Sequence, residues 1–188
     1  MLRVFTEALG AYLLSRLTDM PETVALTYSL PGTVKGKSAL GLFLYALEED
    51  PELRSTERQY ERVEDGWISR PPSLRLKCTY VVSAWASDDN QEEAALTQLS
   101  LLGAAYSAVV SDDAFSGDCL PAPLNDPKLP KPVINLSDND LPNRPEFWTS
   151  AGCVYRPSFS LTAAFSTPST GDIQEYIVEG LHVDYRIR

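Results

Sequence analysis

The chain of 188 residues is 44% hydrophobic and 22% charged, and its 26 acidic and 16 basic side chains leave a formal charge of −10. That length holds one domain with a full core, and the acidic balance argues against nucleic acid or an anionic membrane as partner, since both are bound through basic surfaces. Cys78, Cys119 and Cys153 are odd in number and far apart, which fits free thiols in a reducing, cytoplasmic setting without a disulfide framework or a zinc site.

From Leu2 to Leu17 the apolar residues Leu2, Phe5, Leu9, Tyr12, Leu13 and Leu17 recur at helical spacing. Arg3, Glu7 and Arg16 interrupt the run, so an amphipathic helix packed on a sheet is expected rather than a secretion signal. Val24 to Leu30 reads as a short strand. Gly32 to Ser38 then ends in Gly36-Lys37-Ser38, the close of a phosphate-binding loop. In such loops backbone amides and the lysine hold phosphate, and a helix follows the serine at once. The first glycine of the pattern is missing, because Pro31 stands in its place. The following Leu40 to Leu47 reads as a helix or as a strand buried on both faces. A basic turn before a core strand is the plainer reading, and a nucleotide-binding enzyme is the alternative.

Between Glu48 and Gly66 charges crowd together, among them Glu48, Glu49, Asp50, Glu52, Glu57, Glu61 and Glu64. Acid–base catalysis needs a carboxylate in a desolvated pocket. No apolar setting is visible here, so a solvated loop or surface extension is expected. Pro71 and Pro72 fix an extended approach to the longest strand signal in the chain. Leu74, Leu76, Cys78, Tyr80, Val82 and Ala84 alternate with Arg75, Lys77, Thr79, Val81, Ser83 and Trp85. At roughly twice the usual strand length, this is the expected spine of a sheet.

Asp88 and Asp89 are candidate N-caps of a helix whose apolar stripe reads Ala95, Leu96, Leu99, Leu102, Tyr106, Val109 and Val110. Gly103 in its middle points to a close backbone neighbour. The segment 116–144 is rich in proline and reads as a long loop with one extended piece, Val133 to Leu136. Pro145 opens a one-turn helix carrying Trp148, and Cys153 to Phe165 reads as a second long strand with Pro157 marking an edge or a bulge. In the last stretch Leu181, Val183, Tyr185 and Ile187 alternate with His182, Asp184, Arg186 and Arg188. Such a strand arm, spanning 172–188, either closes the chain's own sheet or adds to another subunit's edge. His182 is the only histidine, so neither a serine or cysteine nucleophile with a histidine base nor a histidine metal cluster is available. The residues alone predict one soluble, acidic, mixed α/β domain with no visible active site, hence no cofactor and no catalytic residues.

Four blocks carry a resemblance. They are Leu42-Phe43-Leu44-Tyr45 with Glu48 to Arg54, then Pro71 to Trp85, then Leu101-Leu102-Gly103, then Trp148 with Tyr155-Arg156-Pro157-Ser158-Phe159-Ser160. In this order they resemble the cap, or tube-terminator, family of contractile injection systems, phage-tail-like particles of the antifeeding-prophage type. One departure is Asp112-Asp113, where the family commonly has His-Pro. The resemblance implies an α/β fold of the α+β type, with a mixed, mainly antiparallel central sheet and flanking helices. It also implies a structural protein forming a hexameric ring at the distal end of the particle, where it stops the inner tube and ties it to the sheath. Longer relatives carry a further C-terminal domain. On this reading Leu181, Val183, Tyr185 and Ile187 are the candidate sheath contacts. Trp85, Trp148 and Arg156 are the candidate subunit contacts. The partners are further copies of the chain, the sheath protein and the inner-tube protein, with no nucleic acid and no membrane insertion. An assembly chaperone of the same particle is a further alternative.

Overall fold

The computed structural model describes residues 1–17, 24–29, 38–50, 57–63, 66–86, 90–111, 115, 119–122, 124–138, 145–167 and 173–175. Helix α1 (Leu2–Ser15) is followed by β1 (Ala25–Thr27), β2 (Ala39–Glu49), β3 (Gln59–Val63), β4 (Gly66–Arg70) and β5 (Leu74–Trp85). Then come α2 (Gln91–Val110), β6 (Val133–Leu136), α3 (Pro145–Ser150), β7 (Ser158–Thr167) and β8 (Ile173–Glu175). Five strands make one sheet in the order β1-β2-β5-β7-β6, and β3-β4-β8 make a second, smaller one. Among the described residues only β1 and β2 run parallel, and every other pairing is antiparallel. This is the mixed, mainly antiparallel α/β architecture that the resemblance implies.

β5 is the spine, paired along its length with β2 on one side and β7 on the other. Its residues Cys78, Tyr80, Val82 and Ala84 point to the same face as Leu40 and Leu42 of β2 and Leu161, Ala163 and Phe165 of β7. Helices α1 and α2 cover that face. Phe5 stacks on Phe165 with ring centroids 4.1 Å apart and meets Phe115 edge-on at 5.4 Å. Fully burying each such leucine or phenylalanine contributes about 1.5–3 kcal/mol, so this layer holds most of the core. Two hydroxyls fix α1 within it. Tyr12 Oη donates to the Ala108 carbonyl at 2.9 Å, tying α1 to α2, and Thr6 Oγ1 shares a 2.9 Å hydrogen bond with Tyr80 Oη.

Several expectations shift on the structure. Leu40 to Leu47 is strand, and β2 follows the buried Ser38 directly. The helix N-terminus that a phosphate-binding loop needs is therefore not there, and Gly36 and Lys37 lie outside the described residues. The charged segment is not loop throughout, since Gln59–Val63 forms β3 and hairpins onto β4. Asn90 caps α2, its side chain accepting from the Glu92 amide at 3.0 Å, and Asp88 and Asp89 lie outside the described residues. Pro157 marks neither an edge nor a bulge. It precedes β7, which lies between β5 and β6, so its missing N–H costs no ladder bond. Cys153 lies before that strand, in the turn that ends α3.

The largest shift concerns α2. Its buried residues are Leu101, Ala105, Ala108 and Val109, whereas Leu96, Leu99, Tyr106 and Val110 of the predicted stripe are exposed. Gly103 has open space where a Cβ would stand, so no neighbouring backbone accounts for it. The helix is apolar on nearly every side, and a period alone cannot say which side meets the sheet.

Burial in the core pushes the Cys78 thiol up to about 11, and the Tyr80 phenol is raised for the same cause, with Cys78 beside it adding to the effect. Both groups are neutral when protonated. A raised folded pKa therefore gives stability that is complete below the unfolded value, near 9 for the thiol, and is lost as pH climbs through the folded one. The urea midpoint should stay level to about pH 9 and fall from there towards pH 11. Cys119, which is exposed, should react with a thiol reagent at pH 8 while Cys78 does not. Rapid labelling of native Cys78, or a flat midpoint to pH 10.5, would contradict this burial.

Candidate functional site

The sheet face opposite α1 and α2 is divided in two. At one end Val81, Ser83 and Trp85 of β5 are buried, and at the other Arg75, Lys77 and Thr79 line an open trough of about 700 Å3.

The closed end is built on Trp85. A Cβ on Gly41, the β2 neighbour two residues from its partner Ala39, would come within 2.3 Å of the Trp85 ring. Only glycine leaves room there for the indole. From the other side the Arg156 guanidinium stands over the ring, 5.6 Å from its centroid. A local stop signal brings Arg156 there. Helix α3 ends in a left-handed glycine, Gly152 at φ 68°, with Cys153 N donating to the Trp148 carbonyl and Gly152 N to that of Thr149. This is the Schellman pattern, and it turns the chain back over the sheet. Phe147 meets Tyr45 of β2 at 6.3 Å, and Trp148 meets Tyr155 at 6.0 Å.

Trp85 and Trp148 are thus almost wholly buried within the chain, 3% and 1% exposed, while Arg156 is half-buried and its neighbours Val154 and Tyr155 are exposed. Burial lowers the Arg156 pKa. Arg156 Nε, Trp85 Nε1, Ser83 Oγ and Ser158 Oγ are buried without a hydrogen-bond partner. The last two face each other across the β5–β7 ladder. The structure therefore brings Trp85 and Arg156 into one corner. Leu181, Val183, Tyr185 and Ile187 lie outside the described residues. The start of the predicted arm, Ile173–Glu175, is strand β8 and pairs with β4.

At the open end lies an ion pair that the sequence reading did not single out. Arg75, only 2% exposed, donates through Nε to Asp50 Oδ2 at 3.0 Å and reaches Ser166 Oγ at 3.5 Å. Asp50 N also donates to the Arg75 carbonyl at 2.9 Å. The partner is chosen by a β-bulge between Leu44 and Ala46, which shifts the β2–β5 register by one residue. Without it Glu49 would stand opposite Arg75. Eleven charges crowd this region of the sequence, and only the bulge selects among them.

The trough lining carries Glu48, Glu49, Asp138 and Lys77 around small residues such as Ala46 and Ala164. Among the described residues that line it there is no thiol and no imidazole. Among the described residues no cluster of histidine, cysteine, aspartate and glutamate is arranged to hold a metal ion. Asp50→Ala would leave Arg75 charged and unmatched in the interior, at a cost of about 3–5 kcal/mol. Chemical denaturation should register that loss. A change below about 1 kcal/mol, the value of a surface pair, would show that the pair is not buried in solution.

Comparisons with known proteins agree on one group. The family model described as the Pvc16 N-terminal domain matches residues 5–175. Comparison with curated protein sequences returns no match. Among solved structures, the chain is similar to the PVC sheath/tube terminator of an extracellular contractile injection system in its extended state, with TM-score 0.68 and 20% identity. The alignment covers 100% of this chain and 63% of that one. It is also similar to the tube-terminating cap of the anti-feeding prophage, with TM-score 0.65 and 21% identity over 97% of this chain and 59% of that one. At such identity the likeness is one of fold, and the chain spans about three-fifths of either structure's length.

Proposed function

The chain belongs to the Pvc16 N-terminal domain family, and on that premise we propose that it is a structural cap of a contractile injection system. It forms a ring at the distal end of the particle, ends the inner tube there and links the tube to the sheath. The observation that carries this reading is the whole-chain likeness in fold to two tube terminators, joined to a family match over residues 5–175. The protein is made in the cytoplasm and built into a phage-tail-like particle. It works by contact, and no cofactor enters.

A ring needs two unlike surfaces that meet from copy to copy. The corner at Arg156 suits one of them, since Val154 and Tyr155 offer apolar surface beside a guanidinium held against Trp85. Trp85 and Trp148, buried as they are, support this corner from within. The sheath contact falls to Leu181, Val183, Tyr185 and Ile187, whose alternation suits a strand added to a sheath subunit's sheet. The nucleotide-binding alternative loses its main support, because β2 follows Ser38 where a helix would be needed.

Truncation after Gly180 tests the sheath assignment. The shortened chain should keep its fold and ring and still end the tube, but particles assembled with it should shed their sheath on purification. Normal sheath retention would overturn the assignment of the four residues. Titration of the full chain with nucleotide should show no saturable binding that Lys37→Ala removes.

A further inference from the structure

The outer face of α2 carries a second apolar stripe. Leu96, Leu99, Tyr106 and Val110 remain 52%, 56%, 46% and 57% exposed, and Gly103 stands between them with nothing within 4 Å of where its Cβ would be. Their steps of three and four residues keep all five on one side of the helix. The core-facing side is already covered, through Leu101, Ala105, Ala108 and Val109, and of the stripe only Tyr106 reaches back to the sheet, meeting Phe159 of β7 edge-on at 5.4 Å while staying half-exposed.

A solvated helix face is normally charged. From Ala94 to Ser111 this chain has no charged residue at all, its longest such run. Two properties indicate what covers the face. With a net charge of −10, two copies repel over most of their surface, and this uncharged side is where they approach at least electrostatic cost. The stripe is also nearly symmetric about its glycine. Leu99 and Tyr106 stand one turn to either side, and Leu96 and Val110 two turns. A two-fold axis through Gly103 would therefore set Leu99 of one copy against Tyr106 of the other, and Leu96 against Val110. The missing Cβ lets the helix axes come close at the crossing.

We propose that α2 pairs with α2 of a second copy of this chain, antiparallel and crossing at Gly103. This contact is isologous, whereas a closed ring is built from heterologous ones, so it is an additional surface and does not rest on the cap reading. The stripe is about 21 Å long, and it covers less than the roughly 800 Å2 per partner of a standard interface. The pair is therefore reversible, as befits a dimer of the free chain. A membrane is the other occupant an apolar face invites, and α2 is long and apolar enough to cross one by length and composition. That reading is disfavoured because α2 carries no basic residue and one side of it is packed on the sheet.

Cysteine cross-linking of the full chain tests the crossing point. In a Cys119→Ser, Cys153→Ser background, Gly103→Cys should oxidise to a disulfide-linked dimer, while Glu92→Cys, about 16 Å along the helix from the crossing, should not. Sedimentation at roughly 100 μM chain, enough to populate a micromolar pair, tests the register. Leu99→Glu and Tyr106→Lys should each weaken pairing at least tenfold, with helix content by circular dichroism unchanged. The double variant should restore pairing, because the carboxylate introduced in each copy then faces the ammonium introduced in the other. The inference is overturned if Gly103→Cys does not cross-link, if Glu92→Cys links equally well, or if the double variant fails to recover. It is equally overturned if the wild-type chain sediments as a monomer at that concentration, and flotation with phosphatidylcholine vesicles would then assign the face to a membrane.

Discussion

Burial of β5 on both faces from Cys78 to Trp85 is the constraint on which the rest of the structure depends. A strand in that position needs a covering on each side, and the two coverings differ in kind. One is the hydrophobic layer of α1 and α2, in which Phe5 stacks on Phe165 while Phe115, beyond the end of α2, meets Phe5 and Tyr12 edge-on. The other is a short segment after α3, held by one left-handed glycine and by Arg156 over Trp85. Where that second covering stops, the strand's polar residues begin, and Arg75 is kept in place by Asp50. The same strand thus sets the core, the corner at Arg156 and the open trough.

Much of this was legible in the sequence where a residue's period and its chemistry agree. The alternation from Leu74 to Trp85 gave the spine, and Val133 to Leu136 gave β6 to the residue. Phe5, Leu9, Tyr12 and Leu13 gave the buried side of α1. It failed on α2, where apolar residues lie on nearly all sides and two stripes compete for the sheet. The one chosen from sequence is largely the exposed one. Gly103 misled for the same reason: a glycine in a helix speaks of a close neighbour or of space for one, and here there is space.

The corner at Arg156 was only half legible. Trp85 and Arg156 stand out as residue types that anchor contacts, but their meeting depends on Gly41 and on the turn at Gly152, and neither glycine carries a period. The Arg75–Asp50 pair was hidden more deeply, because a single bulge near Tyr45 decides which of several carboxylates faces the arginine. The resemblance to tube terminators reached further than the residues alone. Where they lie in described residues, its four blocks fall on β2, β5, α2 and the stretch from α3 to β7, which include the three central strands of the larger sheet.

The central claim, that this domain caps the end of a tube, is tested most directly by locating the chain on assembled particles. Purified particles carrying an epitope on this chain, labelled with antibody–gold and viewed by electron microscopy, should show label at one end only, opposite the baseplate. Label along the shaft, label at the baseplate, or particles of normal length with no label at all would contradict the account.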